Sequence, residues 1–184
     1  NKNLLFGRLM HEVLAQHYNT PSSARGLDRL LGWAEAGAYL DEWSEDITLS
    51  ALESAKRALR RFWTRFGEDG IEPIATELAV NVPLLSGSYY GILDMVYKEQ
   101  VAGGEPVIVI EDYKTSTTAI DPVVYTMRNP QGLDYLWAGR QLWPDNLVIL
   151  RYLFVTPNQA RRIDLPLQLQ TDHIGDQLQA LADE

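Results

Sequence analysis

The nine residues Val107-Ile108-Val109-Ile110-Glu111-Asp112-Tyr113-Lys114-Thr115 constrain this chain more than any others. Four β-branched residues in a row mark a strand covered on both faces. The run then meets two acids, a tyrosine and a lysine. Buried charge costs several kcal/mol unless it is paired or holds a metal, so a core strand that ends this way needs partners. Side chains alternate along a strand. Asp112 and Lys114 are therefore expected on one side, above Ile108 and Ile110, and Glu111 on the other, with Tyr113. An aspartate beside a lysine at a strand tip suits a metal ligand next to a base or charge stabiliser. From these nine residues alone, a cross-strand salt bridge at a sheet edge explains the charges equally well.

The rest of the pattern supplies a frame for that strand. Leu4 to Tyr18 has apolar residues at helical spacing, with His11 and Gly7 four apart on one side. Leu27 to Tyr39 reads as a second helix. Ser50-Ala51-Leu52-Glu53 is a capping box, predicting a third helix from there to Phe66. The period then changes to two. Ile74 to Val82 and Tyr89 to Tyr97 read as strands, the first stopped near Pro83. A turn at Ala102-Gly103-Gly104-Glu105 leads into Val107–Thr115, so three strands form an antiparallel meander. Asn129-Pro130 resembles a helix start, with the helix running from Gln131 to Leu142. Leu147 to Val155 is an apolar fourth strand, Arg161 to Leu167 a shorter fifth, and Asp172 to Ala182 a closing helix. Helices, then a meander, then helix and strand predict one α/β domain over 1–184 with a mixed central sheet flanked by helices. Residues 1–70 form its mainly helical part and 71–184 the sheet core.

Composition narrows the function classes. The 184 residues include no cysteine, which removes disulfides, thiolate zinc sites and cysteine-held clusters and fits a reducing cytoplasm, the expected location. No apolar run reaches the length of a membrane span, so no membrane partner is expected. A net charge of −9 argues, on its own, against a nucleic-acid binder. Its distribution argues less simply. Lys56, Arg57, Arg60, Arg61 and Arg65 stand in one window without an acid, while Asp41, Glu42, Glu45 and Asp46 cluster apart. Such a basic run is most often a solvated helix face.

Asp94 sits in Gly91-Ile92-Leu93-Asp94, in the strand before Val107–Thr115. Neighbouring antiparallel strands would let Asp94 and Asp112 converge. Two carboxylates and a few waters can hold Mg²⁺, and a lysine beside that ion can orient a water or offset charge on a phosphate.

The order Asp94, then Asp112-Tyr113-Lys114, resembles the signature of the PD-(D/E)XK nuclease superfamily. Gly7-Arg8-Leu9-Met10-His11 looks like the Gly-x-x-x-His element of its RecB-like exonucleases, Asp112-Tyr113-Lys114-Thr115 like their third motif, and Gln131-Gly132-Leu133-Asp134-Tyr135 like their Gln-x-x-x-Tyr element. Glu77 resembles the acid that precedes the Gly-x-x-Asp strand. The elements occur in the expected order over residues 7 to 135. The resemblance implies a restriction-endonuclease-like core with an N-terminal helical elaboration. It implies a Mg²⁺- or Mn²⁺-dependent DNA nuclease, an exonuclease acting at a single-stranded or double-stranded end, which hydrolyses phosphodiester bonds through a metal-activated water. In those terms Asp94, Asp112, His11 and the Tyr113 carbonyl would hold the metal. Lys114 would position or activate the water, Glu77 would hold a metal-bound water or a second ion, and Gln131 and Tyr135 would support the site or touch the DNA strand. A helicase or recombination protein is the expected protein partner. The rival readings are a catalytically silent module of the same fold that binds DNA or a helicase, and an endonuclease of the superfamily. The chain departs from one branch of the group, which carries a four-cysteine iron–sulfur cluster.

Overall fold

The computed structural model describes residues 1–40, 43–84, 87–121, 124–125 and 131–165. The closing helix expected at Asp172 to Ala182 and the helix start expected at Asn129-Pro130 lie outside these residues. Among them, four longer helices and five strands follow in the order α1 (Lys2–Asn19), α2 (Leu27–Ala38), α3 (Glu45–Phe66), β1 (Pro73–Leu84), β2 (Gly87–Glu99), β3 (Val107–Thr115), α4 (Gln131–Leu142), β4 (Val148–Val155) and β5 (Ala160–Asp164). The strands form one sheet in sequence order, β1-β2-β3-β4-β5. Helices flank a mixed sheet, the α/β restriction-endonuclease-like layout.

Two compact units divide the chain. The first holds Asn1–Pro73, Tyr113–Pro122 and Leu153–Arg162, and the second Ile74–Asp112, Val123–Tyr152 and Ile163–Glu184. In the first, α1, α2 and α3 pack on one another. Leu5, Phe6, Leu9, Met10, Val13 and Leu14 of α1 are buried, as are Leu52, Leu59 and Phe62 of α3. Alanines at 34, 38, 51, 55 and 58 are also buried and keep the helix axes close. Asn1 caps α1, its Oδ1 accepting from the amide of Asn3 at 3.0 Å.

Helix α3 begins earlier than its capping box suggests. Its N-cap position is Ser44, and Glu45 and Asp46 occupy the first turn, where acids oppose the positive end of the helix dipole. Ser50 lies inside the helix, and its carbonyl accepts from Ser54 Oγ at 2.9 Å. Strand β1 also runs past Pro83 to Leu84. It is an edge strand, where a residue without an amide hydrogen removes no ladder bond.

In the second unit, β2 and β3 pair antiparallel, from Glu99↔Val107 to Met95↔Glu111. Gly103, with φ 72°, turns the connection, and Gln100 Nε2 closes it on the Gly104 carbonyl at 3.0 Å. Strands β3 and β4 begin side by side, Ile108 N donating to Leu147 O at 2.9 Å, and are joined by a crossover containing α4, so they run parallel. Helix α4 lies close on this sheet. A Cβ on Gly139 would meet Ile110 Cδ1 at 2.5 Å, and one on Gly132 would meet the Tyr152 hydroxyl and Leu150. Val107 to Ile110 are all at least 95% buried, as an apolar run in a covered strand requires.

Candidate active site

The carboxylates expected to matter stand in the second unit. The printed ladder between β2 and β3 ends at Met95↔Glu111. One step further along the same register, Asp94 is level with Asp112. Asp112 is 3% exposed, and Asp94 is half-buried. The alternation is the expected one. Asp112 shares a side with Ile110, against which α4 packs through Gly139. Glu111 faces the other way.

Tyr135 stands over this pair on α4. Its hydroxyl accepts a hydrogen bond from Gln131 Nε2 at 3.0 Å, so the two residues four apart in sequence act as one polar unit on one helical face. Burial pushes the Tyr135 phenol well above its ordinary pKa, and the nearby carboxylates of Asp112 and Asp94 push it further. Tyr89, which sequence reasoning did not single out, meets the Tyr135 ring edge-on, with centroids 6.5 Å apart. Burial, then Asp134 and Asp112, raise its pKa as well.

Glu77 is placed differently. It is exposed on β1, its side chain makes no hydrogen bond or ion pair among the described residues, and it has φ 49°. A non-glycine residue in the left-handed region of a strand marks a local kink.

The first unit holds the other predicted residues. His11, on α1, meets the Tyr113 ring edge-on, with centroids 5.7 Å apart. Gly7, one turn earlier, faces Thr115: a Cβ there would be 3.6 Å from its Oγ1. Lys114 is half-buried and Tyr113 is 2% exposed. Among the described residues, no three His, Cys, Asp or Glu side chains gather closely enough to form a metal cluster on their own.

The far face of the second unit shows where Glu111 goes. It is wholly buried, and its Oε2 accepts from the Tyr97 hydroxyl at 3.2 Å. That hydroxyl accepts in turn from Arg151 Nη1 at 2.8 Å. Arg151 also forks onto both oxygens of Glu99 and both of Asp164. Burial alone would lower its pKa, and the hydrogen bonds it donates to Asp164 and Glu99 more than reverse that. This network was missed in the sequence, although a lone arginine inside Leu147 to Val155 was a usable signal: an arginine in an apolar strand needs partners.

A mixed sheet whose third strand delivers a buried aspartate level with an aspartate of its neighbour, followed two residues on by a lysine, defines a nuclease-type fold built around carboxylates. The chain belongs to the PD-(D/E)XK nuclease superfamily, whose family model matches residues 1–184. No curated protein sequence matches it. Nucleases of this superfamily generally use divalent metal ions and act on DNA. The donor set here fits such an ion: two carboxylates at the end of one strand pair, with no thiolate in the chain. None of the helices among the described residues is long and apolar enough to cross a membrane.

Proposed function

We propose that this chain is a Mg²⁺- or Mn²⁺-dependent deoxyribonuclease that acts as an exonuclease. The observation supporting it best is the register of β2 and β3, which sets Asp94 level with a nearly fully buried Asp112. Asp94 and Asp112 would bind the ion, with the main-chain carbonyl of Tyr113 as a further ligand; a ligand role for His11 rests on the sequence resemblance alone. When bound, the ion would acidify a water and offset the charge of the scissile phosphate. Lys114 follows Asp112 by two residues in one strand and so leaves it on the same side. Its ammonium would orient the attacking water and stabilise charge on the phosphate oxygens. Glu77 would hold a water of the metal's shell. Gln131 and Tyr135, tied together at 3.0 Å, form a polar and aromatic wall that would contact the DNA strand. The Gln-x-x-x-Tyr pair and the histidine on α1 support the exonuclease form over the endonuclease. The RecB-like subtype, a cytoplasmic location and a helicase or recombination partner rest on the sequence resemblance alone.

The test uses purified protein with Mn²⁺ or Mg²⁺ and labelled linear and circular DNA. Linear DNA is degraded and closed circles survive. Asp112→Asn lowers the rate by about a thousandfold or more, and Lys114→Ala by about a hundredfold to ten-thousandfold. Full activity in both variants would refute the mechanism, and cutting of closed circles would refute the exonuclease reading.

A further inference from the structure

The strongest basic feature of this acidic chain lies away from the carboxylates in sequence, wholly within the first unit. Arg57, Arg61 and Arg65 recur every four residues on α3 and are exposed. Strand β5, just after its turn from β4, adds Arg161. Together Arg61, Thr64, Arg65, Asn158, Gln159 and Arg161 line one open groove. No acid is among them.

Several other basic residues of this unit are paired, whereas those of the groove are gathered together without an acid. Lys56 pairs with Glu35 at 2.6 Å, Arg25 lies near Glu72 at 3.8 Å, and Arg8 holds Glu12 at 2.9 Å. Arg162 turns inward to Asp69 at 2.8 Å and to the Tyr18 hydroxyl at 2.6 Å. Its neighbour Arg161 is exposed on the groove side. Arg57, Arg61, Arg65 and Arg161 form no ion pair with any described residue. Four guanidinium groups without an ion pair among the described residues repel one another, and they stand together in a chain of net charge −9.

The groove is also firm on the side of the turn. Thr156, fully buried, accepts at Oγ1 from the amides of Asn158 and Gln159 at 3.2 and 3.1 Å. The Gln159 side chain is anchored on the Ile120 carbonyl at 2.8 Å. Arg161 therefore projects from a fixed hairpin, and the α3 arginines from a long, packed helix.

We propose that this groove is a sequence-independent binding site for the backbone of a nucleic-acid strand, with Arg61, Arg65 and Arg161 on its phosphates, Asn158 beside them and Arg57 extending the track. Four residues of helix advance about 6 Å, and one DNA strand carries a phosphate about every 3.4 Å of its axis. The α3 arginines thus meet roughly every second phosphate. A planar guanidinium suits phosphate oxygens two at a time. The groove has no exposed aromatic or aliphatic anchor of the kind a protein interface is built around. The proposal rests on the nucleic-acid reading of this chain but not on its cleavage chemistry.

The test is fluorescence anisotropy of the whole chain with a labelled single-stranded oligonucleotide in EDTA, so that cleavage plays no part. Arg61→Ala/Arg65→Ala/Arg161→Ala should weaken binding about tenfold or more and lower the slope of log affinity against log salt by about 2. Arg29→Glu, an exposed arginine on α2, should leave the affinity close to wild type. Arg161→Ala alone should show about a third of the slope change, and it gives a reading should the triple variant fail to fold. Unchanged binding in the triple variant, or an equal loss in Arg29→Glu, overturns the proposal. Competition by polyglutamate as strong as by unlabelled DNA also overturns it and marks a surface for acidic proteins. A chain that binds through these arginines yet cleaves no DNA with any divalent metal leaves the groove standing and removes the nuclease reading.

Discussion

Lowering the pH from 7.5 to 5.0 should destabilise this protein through one side chain, His17. It is wholly buried in the first unit, edge-on to the rings of Tyr18, Phe62 and Trp63. Neither ring nitrogen has a hydrogen-bond partner among the described residues. Burial lowers its pKa from 6.5 to about 4, with Arg25 and Arg162 adding to the effect and Asp69 opposing it. The unfolded chain therefore takes up a proton near pH 6.5, which the folded chain refuses until about pH 4. The stability is intact above the higher value and is lost as pH falls between the two. The full difference is worth about 3 kcal/mol, and about 2 kcal/mol of it is gone by pH 5. His17→Leu removes the titration and two unsatisfied nitrogens, while the main-chain carbonyl still accepts from Arg25 Nε. Urea unfolding of both proteins at the two pH values isolates the effect, because the carboxylates contribute to both alike. The leucine variant should gain about 2 kcal/mol on wild type between pH 7.5 and 5.0. A stability difference that does not change with pH refutes the reasoning.

Other perturbations read other parts of the molecule. Gly139→Ala places a methyl 2.5 Å from Ile110 Cδ1 and 2.8 Å from Val148 Cγ1, and should cost about 1–3 kcal/mol in thermal or urea unfolding as the side chains give way. Arg151→Met strands Glu99, Asp164 and the Tyr97–Glu111 pair. With Glu99 and Asp164 partly exposed, the expected loss is about 2 kcal/mol, and it should shrink when Glu99→Gln is added. Tyr135→Phe removes the acceptor for Gln131 and should cost about 1 kcal/mol of stability, while lowering DNA cleavage if the pair meets substrate.

The sheet was more legible than the helices. Strand β3 occupies the nine residues expected of it because a β-branched run bounded by a glycine turn and a polar segment has few other ways to fold. The Asp94–Asp112 alignment followed from the same hairpin logic. The start of α3 was misread because two signals compete there: Ser50 and Glu53 form a capping box by spacing, but the helix starts after Ser44, where Glu45 and Asp46 of the first turn oppose the positive end of the helix dipole. The Arg151 network was invisible as a network, since its partners lie 13 and 52 or more residues away. Nor does any local pattern announce the left-handed backbone of Glu77, which depends on how β1 meets its neighbour. The pairing of Gln131 with Tyr135 was readable from helical spacing, whereas the closeness of Tyr89 was not. The groove on α3 shows a third kind of limit. The basic run was plain in the sequence, but Arg161, which closes the groove, comes from a hairpin almost a hundred residues further along.

The seven residues from Gln100 to Pro106, between β2 and β3, have a consequence beyond joining two strands. Their length decides which of two adjacent acids is level with Asp94. One residue more or fewer would slide β3 by one place and exchange its faces. With one residue more, Glu111 would stand level with Asp94, Asp112 would turn to the opposite face, and Lys114 would trade sides with Tyr113. Every side chain of the proposed site would remain in the chain, but Asp112 and Lys114 would be out of place. The loop itself bears no reactive group, yet it acts as the gauge by which this strand sets the shorter carboxylate level with Asp94 and hides the longer one.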